Sequence, residues 1–437
     1  MKRSIRTLCT VVGVVALAAA LATPTNAATK KTPTKKPATT KAVPTTTKAA
    51  TVTTQAPAAA TTAPAAAAAL PALTKPIRVL VISAEGTAST NQPEIRAGAE
   101  AKAKRINAAG GVRGAKIEIV WCNDQVDATT ALACARQAGS NIDAVITTGR
   151  FTGTYTPVFA PIGLPVFDFN ASDVARLDND QYMVVGSGAL GNYAGVGIAG
   201  VKAGGKKVAI YRSDTDATIA LAQYIRQGIT SAGGTSPIEV KLPSIATDLS
   251  PQAQQIKASG VDMVCGVAAE QLTMLLYQAL DQIGANVRYC TTDQAIALGT
   301  MSKNPGLLEG TVIANVQPQL GQLKDNPDIE AFLADLRAAG GEPRETGKAS
   351  GLLSWSIVGV IADVVKTMPT VDAKSLTAAL NKSVNLKVPG FGTWSPGATG
   401  PIKGNKRVTN FGFYASIITG GRPVEFINNG DSYPAFK

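Results

Sequence analysis

The chain has 437 residues, a formal net charge of +12 and no histidine, and its length is enough for two or more domains. Without His, the Ser–His and Cys–His nucleophile pairs and most zinc sites are excluded, while carboxylate, Lys or Tyr chemistry stays open. The charge is local: residues 1–76 hold ten Lys or Arg and no Asp or Glu, leaving 32 basic and 30 acidic residues in the body. That distribution reads as a solvated basic tail, and no nucleic-acid partner is expected.

Lys2, Arg3 and Arg6 lead into an apolar run from Val11 to Ala22, followed by small residues at Thr25-Asn26-Ala27. This is the pattern of a secretory signal peptide over residues 1–27, with cleavage after Ala27 or Ala28. The run is too short to span a bilayer comfortably, and Cys9 precedes it in a context unlike a lipobox. The mature chain is therefore expected outside the cytoplasm, secreted or at the cell envelope, with no transmembrane segment. Residues 28–75 are almost entirely Ala, Thr, Pro and Lys and read as a disordered tether, because such residues cannot offset ordering entropy.

From Ile77 the pattern changes. Two nearly continuous apolar runs, 77–83 and 117–122, bracket a stretch in which Ile95, Ala99, Ala103 and Ile106 recur at helical spacing. Runs that do not alternate suit strands covered on both faces, and a helix between two of them makes a βαβ unit. Further strands are expected at 143–148, 165–169, 207–212, 238–243, 261–267, 286–291 and 310–316, with helices at 92–108, 128–139, 190–203, 217–232, 249–259 and 270–284. This alternation signals doubly wound parallel sheets. A break near Gly186 to Gly191 divides about four strands from about five, so two sheets are expected rather than one wide one. Helices at 327–339, 347–367 and 372–382 then precede an apolar strand from Phe411 to Ile418. A chain that completes one lobe, adds helices and closes on a strand crosses between lobes more than once, which makes a hinge and a cleft.

Besides Cys9, four cysteines remain, an even number in an exported chain. Cys122 ends the second strand and Cys134 lies in the next helix, while Cys265 and Cys290 fall in adjacent expected strands. Disulfides Cys122–Cys134 and Cys265–Cys290 are expected, with four buried free thiols as the alternative.

The run Ile106-Asn107-Ala108-Ala109-Gly110-Gly111-Val112-Arg113-Gly114, followed by Cys122-Asn123-Asp124, resembles a segment of the type I periplasmic binding proteins. These are the branched-chain amino-acid-binding proteins of ABC importers and their relatives. The likeness continues through Ala144 to Gly153, Leu164-Pro165-Val166-Phe167, Asp262-Met263-Val264 and Tyr277 to Gly284, and covers about residues 77–435. It implies two lobes joined by three crossovers, with residues 76–190 and 318–408 in lobe I and 191–317 and 409–437 in lobe II. It also implies a monomer that takes a small-molecule ligand in the cleft and works with an ABC permease. Family positions for the ligand carboxylate fall on Thr152 with Gly153 and on Asn170, Ala171 and Ser172; the acidic residue for the ligand ammonium falls near Glu270. Two departures stand out. The early Pro-Leu-Ser-Gly turn of the family is replaced by Ala84-Glu85-Gly86-Thr87, and its second-lobe Tyr-Gly by Asp216-Ala217.

The residues support a site at these places without the resemblance, because ligands of open parallel sheets lie beyond the carboxyl ends of the strands. Glu85, Thr148 to Thr154, Asn170 to Ser172, Ser213 to Asp216, Ala268 to Glu270 and Thr292-Asp293 all lie there. Each has an ordinary explanation as well: Thr152 and Ser172 as helix caps, Glu270 as a first-turn glutamate, Asp216 and Asp293 as caps, and Arg150 as a solvated or structural arginine. No dinucleotide or P-loop spacing, EF-hand or metal cluster is present, and no cofactor or metal is expected. With no G-x-S-x-G elbow and no His, an enzyme is the least favoured reading. Capture of an amino acid or amino-acid-like solute for an importer leads, with a secreted sensor or scavenger of the same fold as the alternative.

Overall fold

A strand with an unbroken apolar run must be covered on both faces, and β1 (Ile77–Ser83), apolar from Val79 to Ile82, is. Its Ile77, Val79 and Val81 join one apolar cluster and Leu80 and Ile82 another. The first cluster includes residues of α1 (Pro93–Ala108), and the second those of α2 (Ala128–Arg136) and α3 (Thr152–Phe159). With β2 (Ile117–Asn123), β3 (Ala144–Thr147), β4 (Val166–Asp168) and β5 (Tyr182–Met183), β1 forms a parallel sheet in the order β2-β1-β3-β4-β5. In this computed structural model the described residues are 70–87, 91–139, 141–169, 178–317, 326–341, 348–400, 406–409, 412–427 and 433–434, within a unit spanning Ala67–Lys437. The side chains of Thr152, Asp216, Ala217, Glu425, Tyr433 and Pro434 are also outside the description. The expected signal peptide, the expected tether up to residue 69, and Asn170, Ala171 and Ser172 lie outside the described residues.

The second half repeats the logic. After α4 (Gly188–Lys202) come β6 (Val208–Ser213), α5 (Asp216–Ser231), β7 (Glu239–Leu242), α6 (Ser250–Ala258), β8 (Met263–Val267), α7 (Glu270–Gln282) and β9 (Arg288–Thr291). Two short helices, α8 (Leu298–Lys303) and α9 (Pro305–Leu308), lead to β10 (Val312–Asn315). Val208 and Ile210 pack with α4 and α5, and Ala209 and Tyr211 with α6 and α7, so this sheet too is covered on both faces.

The chain then returns to the first sheet. Phe332 of α10 (Pro327–Ala339), Trp355 of α11 (Ala349–Val365) and Leu376 of α12 (Ala373–Leu380) join the cluster of Ile77 and Val79, as does Trp394 of the β11 (Leu386–Val388) and β12 (Gly392–Trp394) hairpin. Finally β13 (Gly412–Thr419) pairs antiparallel with β10, and β14 (Arg422–Glu425) and β15 (Tyr433–Pro434) pair with β13. The second sheet runs β14-β13-β10-β9-β8-β6-β7. The result is two doubly wound lobes with three crossings, between β5 and α4, β10 and α10, and β12 and β13. Hydrogen bonds tie the crossings together: Ser187 Oγ donates to the Gly412 carbonyl at 2.8 Å, and Arg407 donates to the carbonyls of Tyr182 and Pro396 at 2.8 and 3.1 Å.

Both expected disulfides are formed, Cys122–Cys134 and Cys265–Cys290, the second across paired positions of β8 and β9. Several elements are additional to the reading of the sequence, among them α8, α9, β14 and β15, and three cases show why. Helix α3 holds Pro157 and a Thr- and Gly-rich start that conceal it; β5 is only two residues long; and the β11–β12 hairpin lies in a stretch that shows no clear alternation.

Helices α4 and α5 approach backbone to backbone, and a Cβ on Gly228 would stand 2.0 Å from the Ala194 carbonyl oxygen. On an exposed helix Gly→Ala would stabilise by about 1 kcal/mol. Here overpacking wins, and Gly228→Ala should destabilise the protein by about 1–3 kcal/mol, read as a lowered urea midpoint with an unchanged slope.

Candidate functional site

Parallel strands deliver their carboxyl ends to one edge of each sheet, and the two edges bound a cavity of about 790 Å³. Lobe I contributes Glu94 from the first turn of α1, Arg150 from the β3–α3 loop, and Lys348 and Ser350 at the start of α11. Lobe II contributes Tyr193, Glu270, Asp293 and an apolar set that includes Val267, Leu272, Met274 and Leu298.

Glu94 is almost wholly buried, and its placement follows from Pro93, which starts α1 and leaves Glu94 in the first turn. Its Oε1 accepts from Ser350 Oγ at 2.8 Å and its Oε2 lies 3.6 Å from Lys348 Nζ. Desolvation pushes its pKa up, opposed by the Lys348 charge and by hydrogen bonds. Asp293 follows β9, half-buried, with its own N–H donating to Asn315 Oδ1 at 3.2 Å. Desolvation first, and then the Glu94 carboxylate of the opposite lobe, push Asp293 up to about 7, while Lys348 works against the shift. Tyr193 lies fully inside lobe II, where burial and the charge of Asp293 raise its pKa.

The residues singled out from the sequence divide. Glu270 and Asp293 line the cavity. Glu270 has a second task, because its Oε1 accepts from the Ala297 N–H at 3.1 Å and from the Thr300 hydroxyl, capping α8 from another element. Glu85 is drawn aside: its two oxygens accept from Nε and Nη2 of Arg96, both at 2.9 Å, and Arg96 stacks 4.2 Å over the Trp121 ring. Neither Glu85 nor Gly153 is among the cavity-lining residues. Thr152 opens α3 and Asp216 opens α5, with side chains outside the description. Trp355 is buried, with Nε1 donating to Asp335 at 2.8 Å, and Tyr155 is buried beside Asp124. Glu94, Lys348 and Tyr193 are additional to the reading of the sequence. The first two sit at the starts of α1 and α11, and Lys348 follows a helix rather than a strand, so a search of strand ends does not reach it.

A family model described as periplasmic binding protein matches residues 76–410. A Leu/Ile/Val-binding protein homolog of Brucella suis is 22% identical over 326 residues, which cover 70% of this chain and 82% of that relative. A solute-binding protein of an ABC transporter from R. palustris, solved with 4-hydroxybenzoate, is 18% identical at a TM-score of 0.67, covering 82% of this chain and 97% of that one. A leucine-binding protein from Thermotoga maritima is 16% identical at a TM-score of 0.66, with the same coverage.

The raised pKa of Asp293 fixes a sign. Between about pH 4, where the unfolded carboxyl titrates, and about 7, the folded state holds a proton that the unfolded state has released. Stability of the ligand-free protein should fall as pH rises through that window and level off above it. Asp293→Asn should flatten the fall. Melting temperatures measured from pH 4 to pH 8 give the check; an equal slope in the variant would assign the effect elsewhere.

Proposed function

Because the chain belongs to the periplasmic binding protein family, we propose that it captures a small polar solute between its lobes, outside the cytoplasm, and presents the closed form to an ABC permease. An amino acid or an amino-acid-like carboxylate is the ligand class that fits best. The observation that carries this reading is the mixed character of the cavity wall. Arg150 and Lys348 stand on lobe I, Asp293 and Glu270 on lobe II, and an apolar patch of Val267, Leu272, Met274 and Leu298 lies beside them. Such a wall suits a solute with both polar and apolar parts, and ligand pockets combine these features in general.

A ligand that touches both walls binds the closed form better than the open one, and it shifts the population by that difference alone. Three crossings join the lobes while each lobe keeps its own two-faced core, the arrangement in which one lobe can close on the other. At the wall Glu94 is paired with Lys348 and Glu270 caps α8, so these carboxylates serve the structure of the cleft. The relatives, a Leu/Ile/Val-binding protein homolog and a solute-binding protein solved with 4-hydroxybenzoate, mark two arms of the search.

Calorimetry of the purified protein against the amino acids, their amides and small aromatic carboxylates tests the assignment. At least one should bind with 1:1 stoichiometry and raise the melting temperature in proportion to the logarithm of its concentration. A panel with no binder would remove the proposed ligand class.

A further inference from the structure

We propose that Arg150 is the anion anchor of the cleft, and that the ligand bears a single carboxylate which docks on this guanidinium with its apolar body turned toward lobe II. The inference rests on the ligand-capture reading and adds to it a residue and a ligand polarity.

Gly149 sets the geometry. That residue has φ +77°, and a Cβ on it would stand 2.1 Å from Asp168 Oδ1, so only glycine fits the turn. The turn ends β3 and presents Arg150 at the cavity wall, exposed to the space between the lobes. Arg150 makes no hydrogen bond or ion pair among the described residues. Asp124 acts on it through space, supporting the charge against desolvation. The Asp124 oxygens, however, already accept from the Val126 N–H at 3.0 Å and the Tyr155 hydroxyl at 3.4 Å. The guanidinium therefore keeps its donor fork free, the geometry that matches a carboxylate. The start of α3, two residues on, adds N–H groups of favourable sign.

The rest of the wall decides the ligand's charge. Lys348, the other cation of the wall, is held by Glu94. Glu94, Glu270 and Asp293 line the same cavity, so a doubly charged phosphate would meet more repulsion than a carboxylate. The larger exposed or half-buried apolar residues of the wall, Met274 and Leu298, stand on lobe II. A ligand with its carboxylate on lobe I and its apolar body against these side chains bridges the lobes.

The experiment pairs acids with their amides: L-leucine with L-leucinamide, and 4-hydroxybenzoate with 4-hydroxybenzamide, each titrated into wild type and Arg150→Gln. For whichever acid binds, the variant should lose roughly ten- to a hundredfold in affinity, the range of a hydrogen bond to a charged group. The matching amide should bind wild type more weakly than the acid does, and the variant should change amide affinity by no more than about twofold. The ligand-free variant should keep its melting temperature, because Arg150 has no structural partner to lose among the described residues. Equal acid affinity in variant and wild type, an equal loss for acid and amide, or a large fall in melting temperature would each overturn the anchor while leaving ligand capture intact. Absence of binding by either acid to wild type would overturn the anchor as well, and if no amino acid binds either, the capture reading goes with it.

Discussion

A parallel strand cannot be followed by a tight hairpin; its chain must travel back over the face of the sheet before the next strand begins. In this protein that constraint acts twice, and it organises the rest of the molecule. Helices have to cover both faces of each sheet, which is why β1 is buried at almost every position and sends Val79 and Leu80 into different cores. The strands' carboxyl ends then gather at one edge of each lobe, with the loops that succeed them. Two such edges set against each other make the cleft, so the place of the cavity comes from strand direction before any side chain is considered.

Charge in the cleft has the same origin. Loops and helix starts at these edges are freed from the packing demands of the sheets and carry Arg150, Glu94, Lys348, Glu270 and Asp293 into one space. Their neighbours decide what each can do. Glu85 and Glu270 are both acids at strand ends, yet Glu85 is closed off by the Arg96 fork and Glu270 is half-used as a cap for α8. Asp293 stays without a cationic partner at hydrogen-bond distance among the described residues and feels Glu94 from the other lobe. Arg150, the free cation of the described wall, acquires its importance by the same elimination.

The lobes stay separate bodies because their cores are separate. Trp355 and Trp394 belong to the cluster of the first sheet, Phe413 and Tyr193 to that of the second, and hydrogen bonds of Ser187 and Arg407 tie the crossings between them. Close helix packing rigidifies each lobe. Gly98 on α1 lies against the Gly351 carbonyl just as Gly228 on α5 lies against that of Ala194.

The order of strands and helices, the two sheets, the two disulfides and the strand ends as the place of the site were all legible in the residues. They depend on local pattern: unbroken apolar runs, helical spacing, and cysteines at compatible positions. The two-residue β5 and the proline-bearing α3 were not legible, because neither shows a period long enough to read. Which charges meet was decided only by the tertiary structure, since Glu94, Lys348 and Asp293 are far apart in the chain and gain their mutual influence from desolvation between lobes. From the sequence both Glu85 and Arg150 lie near strand ends, the first as a ligand candidate and the second read as a solvated or structural arginine. Only the folded chain, by giving Arg96 to one and leaving the other without a partner among the described residues, separated them.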